Sequence, residues 1–437
     1  MEIRDWQSMS PAQRRGALER PSAALHERTL TQVRSIIAAV RLEGDAALAR
    51  YTREFDGVEL TQLQVTPEEF AAARSHLRPE QHAALERAIA NVEAFHRAGL
   101  PGAISLEVQP GVRCERLIRP IEAVGLYVPA GSAPLPSTVY MLAVPARLAG
   151  CPQRVLCTPP LRDGLASPAV LVAARLCGIE QVYKIGGAQA IAALAYGTHS
   201  IPKVAKIFGP GNAWVTAAKQ LVAADPDGAA LDMPAGPSEV LVIADEGARA
   251  EFIASDLLGQ AEHDPRSQAL LVTPSRELAQ AVAAAVQQQL PALSRSRILR
   301  DSMVASRILL VSDLLQGLEV SNAYAPEHLI IDTRSPRALL HGVTNAGSVF
   351  LGPWSPVTMG DYCSGTNHVL PTYGYARAYS GLSVLDFTRR MTVQELQPAG
   401  LRALGPTAST LAALEGLDAH VATVALRLEA LHAGSPA

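Results

Sequence analysis

The segment LGQAEHDP (258–265) contains residue types that could form one side of a metal site. Apolar residues precede it at helical spacing, and Pro265 disfavours helix at the residue before it, so a helix is predicted to end about there. Gln260 and His263 are three residues apart and should share one helix face, close to unpaired carbonyl groups that favour a cation. Taken alone, the pair also fits an ordinary solvated helix end.

Two further segments supply candidate ligands. Asp361 lies in a polar run after an apolar strand, where it could bind a metal or simply form a turn. Near the C-terminus, Gly416 separates two helical tracts, with Asp418 as the expected N-cap and His420 in the first turn. One amide oxygen, one carboxylate and two imidazoles suit zinc, and also manganese or cobalt. The wide spacing leaves open whether these residues meet.

Glu327 and His328 form a candidate acid–base pair directly before the apolar run 329–331. Histidine titrates near neutral pH, so it can act as a general base where a loop enters a strand, and the neighbouring carboxylate could orient it or activate water. A solvated Glu beside a half-buried His is the alternative interpretation.

Two glycine loops, GGAQ (186–189) and GPGN (209–212), each follow a predicted strand and open a predicted helix. Their backbone N–H groups could bind a phosphate, although each also fits a tight turn. Neither loop matches the usual dinucleotide or Walker fingerprints.

The composition is that of a globular protein with two or three domains: 437 residues, 48% hydrophobic and 18% charged. A formal charge of −3 argues against nucleic acid or an anionic membrane as partner. The N-terminus lacks a signal-peptide pattern, no apolar run approaches a membrane span, and the five cysteines are widely spaced, so a cytoplasmic protein with reduced thiols is expected.

Strand and helix patterns alternate through the centre of the chain and predict an α/β fold. Two incomplete doubly wound, Rossmann-like domains are expected, flanked by helical N- and C-terminal segments. The last helix carries a narrow apolar stripe at Val421, Val424, Leu428 and Leu431, which a partner subunit could cover. The expected domains are 1–120 (helical, packed on the second α/β domain), 121–236 (first α/β domain), 237–385 (second) and 386–437 (C-terminal helical tail).

Taken together, the motifs resemble those of the histidinol dehydrogenase family. The matching phrases span most of the chain and are specific as a set: VGLYVPAG (124–131), PLPST (134–138), GGAQA (186–190), GPGN (209–212), DMPAGPSE (232–239), QAEH (260–263), APEH (325–328), GDY (360–362), SGLSV (380–384) and EGLDAH (415–420).

The resemblance implies a zinc- and NAD-dependent homodimer that oxidises L-histidinol to L-histidine through a bound aldehyde, the last step of histidine biosynthesis. It implies that His328 takes the alcohol proton and that Glu327 activates water for the second oxidation. It also implies that the C-terminal segment reaches the partner's site. The implied contacts are Gln260, His263, Asp361 and His420 for zinc; these four with Ser238, His328 and Glu415 for substrate; and Tyr127, Gln189 and Asn212 for NAD.

Three other functions are weighed against this one. A related zinc and NAD dehydrogenase could oxidise another small alcohol, such as a sulfonated diol. A zinc hydrolase could use Glu327 to activate water, but it has no evident use for the two glycine loops. A non-catalytic α/β binding protein is the third, and the lack of an export signal argues against a periplasmic binder.

Overall fold

The computed structural model describes residues 1–21, 27–130, 134–234 and 236–433. Gly131 and Ala235, which belong to two of the quoted phrases, lie outside these ranges. The chain forms two compact units: unit 1 comprises Met1–Gly99 and Ile121–Phe387, and unit 2 comprises Leu100–Pro120 and Thr388–Ala437.

Fourteen strands are assigned in the described ranges. They are β1 (Glu2–Asp5), β2 (Ile104–Gln109), β3 (Val112–Pro120), β4 (Ala123–Tyr127), β5 (Gln153–Thr158), β6 (Gln181–Lys184), β7 (Lys206–Phe208), β8 (Ala230–Leu231), β9 (Glu239–Ala244), β10 (Gln268–Thr273), β11 (Arg307–Leu310), β12 (His328–Asp332), β13 (Ser348–Leu351) and β14 (Thr388–Leu396).

Seventeen α-helices are assigned in the same ranges. They are α1 (Pro11–Ala17), α2 (Glu27–Glu43), α3 (Asp45–Tyr51), α4 (Pro67–Ser75), α5 (Pro79–Ala98), α6 (Pro136–Ala149), α7 (Pro168–Leu176), α8 (Gly187–Tyr196), α9 (Ala213–Ala223), α10 (Ala250–Ala261), α11 (Arg276–Gln289), α12 (Ser296–Ala305), α13 (Leu314–Tyr324), α14 (Pro336–Leu340), α15 (Val357–Tyr362), α16 (Pro398–Leu414) and α17 (Asp418–Ala433).

Unit 1 contains two parallel sheets. The first has the strand order β6-β5-β4-β7-β8, and the second has the order β1-β11-β10-β9-β12-β13. All six residues of β9 and all six of β10 are buried, as expected for strands covered by helices on both faces. In each sheet the order reverses beside the first strand of its α/β series, β4 or β9, which is the doubly wound pattern. The predicted fold class is confirmed.

The N-terminal segment does not pack as the one body predicted for residues 1–120. Strand β1 pairs with β11 at the edge of the second sheet. Helices α2 and α3 instead contact α8 and α9, and α4 and α5 contact α7 and α6, around the first sheet. Residues 104–120 form a hairpin of unit 2. Helical periodicity located the helices but carried no information about which sheet they cover.

Unit 2 consists of an antiparallel sheet, ordered β14-β3-β2, and the helical pair α16 and α17. The helical tail predicted for residues 386–437 is wrong over Thr388–Leu396, because this segment pairs with β3 along its whole length. The apolar stripe of α17 packs partly on α16 in the same chain. A Cβ on Gly405 would lie 3.1 Å from Val424 and 3.0 Å from Leu428, so the missing side chain permits close approach.

No helix in the described part of the chain combines the length and apolar character needed to cross a membrane.

Candidate active site

Glu327 and His328 lie at the amino end of β12, and both side chains are buried. The turn before them depends on Ala325, which ends α13 in the left-handed conformation with φ 55°. The backbone of Glu239 holds the pair: its N–H donates to Glu327 Oε2 at 2.7 Å, and its carbonyl lies 3.1 Å from His328 Nδ1. An Nδ1–H that donates to this carbonyl leaves His328 Nε2 as a proton acceptor.

Asp361 on α15 lies beside the free ring nitrogen of His328, with 3.4 Å between Asp361 Oδ1 and His328 Nε2. Nε2 is buried and makes no well-formed hydrogen bond to any described residue, so the contact is electrostatic at this distance. The predicted pair Glu327 and His328 is therefore brought together with the predicted ligand Asp361.

The charges of this cluster shift one another's pKa values. Burial raises the pKa of Glu327, and nearby His328 only partly offsets this. Burial acts to lower the pKa of His328, but the adjacent Glu327 and Asp361 carboxylates raise it to about 10. Burial acts to raise the pKa of Asp361, and His328 reverses the direction and holds it below its usual value. Asp361 is thus kept anionic, as a metal ligand must be.

Gln260 and His263 lie at the end of α10, but the helix stops at Ala261, earlier than predicted. Gln260 is buried in the last turn, whereas His263 follows in a turn and is exposed where it lines two cavities. Partial loss of water around His263 lowers its pKa and favours the neutral ring that binds metals.

The donors in unit 1 fit a divalent metal in chemistry but are incomplete in number. An anionic carboxylate, a neutral imidazole and an amide oxygen form a nitrogen and oxygen set suited to zinc. Among the residues described, no three His, Cys, Asp or Glu side chains are grouped closely enough to hold a metal. Gln260 is not one of these residue types, and unit 1 provides only His263 and Asp361 of the predicted charged and imidazole ligands.

Three predicted cofactor residues lie at the carboxyl ends of strands in the first sheet. Tyr127 ends β4, and its hydroxyl accepts a hydrogen bond from Gly187 N at 3.1 Å. Gln189 is buried in the first turn of α8, and its Oε1 has no partner in the described ranges. Asn212 caps α9 by accepting from Trp214 N at 3.0 Å. Tyr127 and Asn212 flank the point between β4 and β7 where strand order reverses, a common ligand position.

A cavity of about 660 Å³ is lined by these three residues and by one predicted metal ligand, His263. A second cavity of about 620 Å³ shares Asn212 and His263 and is also lined by Ser238. The carboxyl ends of the first sheet and the amino ends of the second therefore meet at connected cavities.

Comparison with known proteins identifies the family of the chain. The sequence profile of the histidinol dehydrogenase family matches residues 19–428. The chain is 54% identical to "Histidinol dehydrogenase" of Vibrio vulnificus (strain CMCP6) over 428 residues, which are 98% of each chain. The enzyme of that name from Salmonella typhimurium is 54% identical over 427 residues, again 98% of each. The chain belongs to the histidinol dehydrogenase family. Its activity class is that of an NAD-dependent oxidoreductase.

A solved structure of the family supports the fold at full length. The crystal structure of histidinol dehydrogenase from Elizabethkingia anophelis superposes with a TM-score of 0.95 at 43% identity, and the match covers 99% of each chain. The two-sheet arrangement is therefore shared with a histidinol dehydrogenase.

The remaining predicted site residues, Glu415 and His420, belong to unit 2. Glu415 is the C-cap of α16, Gly416 turns the chain with φ 70°, and His420 lies in the first turn of α17. Helix α17 starts at Asp418 itself, one residue before the start implied by an Asp418 N-cap. Both Glu415 and His420 are exposed.

His368 is a site residue that the sequence analysis missed. Its Nδ1 lies 2.8 Å from the backbone carbonyl of Asp361, and its Nε2 lies 3.4 Å from Thr138 Oγ1. The ring thereby connects the end of α15 to α6. His368 lies in the same polar run as Asp361, but a histidine that contacts the backbone has no distinguishing spacing in the sequence.

Proposed function

We propose that the protein oxidises L-histidinol to L-histidine in two successive steps at one site in unit 1, with the intermediate aldehyde kept bound. The observation that carries this proposal is the cavity that Tyr127, Gln189, Asn212 and His263 line together, where His263 also interacts electrostatically with Asp361 and His328. NAD supplies the hydride acceptor for each step.

His328 and Glu327 divide the proton transfers. His328 Nε2 takes the proton of the alcohol in the first oxidation, since Nδ1 is directed to the Glu239 carbonyl. This role needs the neutral ring, which a cation held by Asp361 would favour because it would offset the carboxylates that raise the pKa of His328. Glu327 then takes a proton from the water that adds to the aldehyde, while protonated His328 returns its proton to the former carbonyl oxygen. The neutral His328 accepts a proton of the hydrate in the second oxidation. The Glu239 N–H fixes Glu327 Oε2, which orients the carboxylate for this task.

The metal ligands in this proposal are Gln260, His263 and Asp361 of one chain with His420 of a second chain. When bound, zinc supplies a positive site for the nitrogen atoms of the substrate and so positions it. The neutral state favoured at His263 and the anionic state favoured at Asp361 support this assignment. Purified His263→Asn should retain its fold by circular dichroism and lose zinc by elemental analysis; retained zinc would remove His263 from the ligand set.

The substrate contacts proposed are Ser238, His328 and Glu415, together with the metal ligands. Ser238 lines the second cavity beside His263, so this cavity is assigned to the substrate and the first to NAD.

The proposed assembly is a homodimer in which Glu415 and His420 act in the site of the other copy. Both are exposed, and their helical pair also exposes apolar side chains, Leu414 and Leu426 among them. Mixing inactive His420→Asn with inactive His328→Asn subunits should restore part of the activity if sites are shared. Failure of refolded mixtures to regain activity would contradict this arrangement.

We also place the protein in the cytoplasm. All five cysteines are free thiols, as is usual in a reducing compartment.

The reaction itself is tested by stoichiometry. With limiting L-histidinol and excess NAD, the zinc-loaded protein should form two NADH per histidinol and leave no free aldehyde in an aldehyde-trapping assay. One NADH with released aldehyde, or no NADH, would overturn the proposed function.

A further inference from the structure

We infer that Asp56 accepts the ribose hydroxyls on the adenosine side of the cofactor and thereby excludes a cofactor with a 2′-phosphate. This inference rests on the proposed use of NAD. It extends that proposal because Asp56 belongs to none of the motifs described above. Asp56 lies in the N-terminal helical segment, far along the sequence from both glycine loops.

The local fold presents Asp56 to the cavity. It is the last residue of a π-helical turn, Thr52–Asp56, which Gly57 ends in the left-handed conformation with φ 70°. Asp56 and its neighbour Phe55 both line the 660 Å³ cavity, together with Tyr127 and Gln189. A residue outside the glycine loops therefore contributes a charge to the cavity assigned to NAD.

The carboxylate of Asp56 lacks protein partners. Its Oδ2 is buried, and neither carboxylate oxygen receives a hydrogen bond or ion pair from the residues described here. The two arginines closest to Asp56 in the sequence form ion pairs with other carboxylates: Arg53 pairs with Glu59, and Arg50 pairs with Glu43. Burial raises the pKa of Asp56 to about 6, so the group is mostly ionised at neutral pH while lacking donors. A buried carboxylate without hydrogen-bond donors destabilises the free protein, and a ligand that supplies these donors would remove that destabilisation.

Two vicinal hydroxyls match this requirement. A ribose presents two O–H donors side by side, and a carboxylate can accept both. The adenosine ribose is chosen over the nicotinamide ribose by position. Asn212 and His263 line both cavities and so mark the reacting end, whereas Phe55 and Asp56 line only the first. Phe55 is 52% exposed and, with Ile36, offers an apolar surface suited to a purine ring.

A 2′-phosphate at this position would meet like charge. It would replace one donor with a dianion beside the Asp56 carboxylate. Arg295 lines the same cavity, but burial alone shifts the pKa of Asp56, so no neighbouring cation offsets the charge of this carboxylate. Asp56 therefore acts as a specificity-determining residue through attraction of a diol and repulsion of a phosphate.

The experiment measures binding without turnover. Dissociation constants for NAD and NADP are determined by isothermal titration at pH 7.5 for the wild-type chain, Asp56→Asn and the control Glu54→Gln, which changes an exposed carboxylate two residues away. Wild type and the control should bind NAD at least 100-fold more tightly than NADP. Asp56→Asn should reduce this ratio at least 20-fold. An unchanged ratio in Asp56→Asn, or no preference in wild type, overturns the inference.

Binding of two fragments of the cofactor identifies which ribose Asp56 contacts. Asp56→Asn should weaken binding of AMP at least 5-fold and leave binding of nicotinamide mononucleotide within 2-fold of wild type; the opposite pattern overturns the inference. Thermal melting controls for folding, and Asp56→Asn should melt no lower than wild type, since it removes a desolvated charge. If wild type forms two NADH per histidinol but Asp56→Asn keeps the wild-type ratio of NAD to NADP affinity, only this inference is rejected. If wild type does not reduce NAD, the proposed function is rejected.

Discussion

Replacing Lys219 with methionine should destabilise the protein and loosen the loop that begins at Gly209. Lys219 Nζ donates to the Gly209 carbonyl at 2.9 Å and pairs with Asp232 Oδ1. Asp232 Oδ2 in turn accepts from Gly209 N at 2.8 Å. The ion pair thus holds both polar groups of Gly209, whose φ of 120° and close approach to the Tyr127 carbonyl permit no side chain.

The expected loss of free energy of unfolding follows from the burial of the Lys219 and Asp232 side chains. The Lys219 and Asp232 side chains are 7% and 1% exposed, so Lys219→Met leaves a carboxylate in the interior without its cation. Breaking a buried pair on one side costs about 3–5 kcal/mol. Asp232 keeps its two backbone donors, Gly209 N and Met233 N, so the lower end, about 3 kcal/mol, is expected. Asp232→Asn in the Lys219→Met background should recover part of this loss, because it removes the orphaned charge.

The assay is urea unfolding followed by circular dichroism at one fixed protein concentration, with NAD binding measured on the folded variant. Lys203→Met is the matched control: Lys203 also donates to a backbone carbonyl, that of Asp227, but at the surface. The control should change the free energy of unfolding by less than about 0.5 kcal/mol. A loss below about 1 kcal/mol for Lys219→Met, or no recovery in the double variant, would refute the reasoning.

Two further predictions concern a buried charge and a helix cap. Burial, with a contribution from Asp332, raises the pKa of Asp256 to about 7 from an ordinary value of 3.8, so the folded protein loses stability as pH rises from about 4 to 7. Asp256→Asn should therefore raise the free energy of unfolding by about 1–3 kcal/mol at pH 8 and leave it unchanged at pH 4. Urea titrations at both pH values measure this difference, and equal effects at the two values would contradict the prediction. Asn212→Ala removes the cap that accepts from Val215 N at 3.1 Å, so it should cost about 1 kcal/mol in the same assay and weaken NAD binding; unaltered stability would show that the cap contributes nothing.

Periodicity predicted the two α/β series, and the motifs supplied candidate site residues, of which Glu327, His328 and Asp361 lie together in the structure. The apolar run 329–331 predicted β12, because such a pattern is local. Glu327 and His328 could be paired from sequence because they are adjacent, and their contact with the Glu239 backbone follows from the pairing of β12 with β9.

Features that depend on distant contacts could not be predicted. Strand β14 reads as a poor strand by itself and forms because β3 offers an unpaired edge. The sequence also gave no sign that α2 to α5 cover the first sheet, since amphipathic helices are alike in pattern. Asp56 and His368 acquire their roles from a cavity and a backbone carbonyl, which no spacing encodes.

The central claim is that one site performs both oxidations, with Glu327 needed only for the second. The most direct test follows NADH formation by stopped flow with enzyme in excess over L-histidinol, for wild type, Glu327→Gln and the exposed control Glu319→Gln. Glu327→Gln should form the first NADH within about threefold of the wild-type rate and the second at least about 100-fold more slowly, the usual contribution of a general base. Formation of both at wild-type rates, or an equal loss in both steps, would contradict the account.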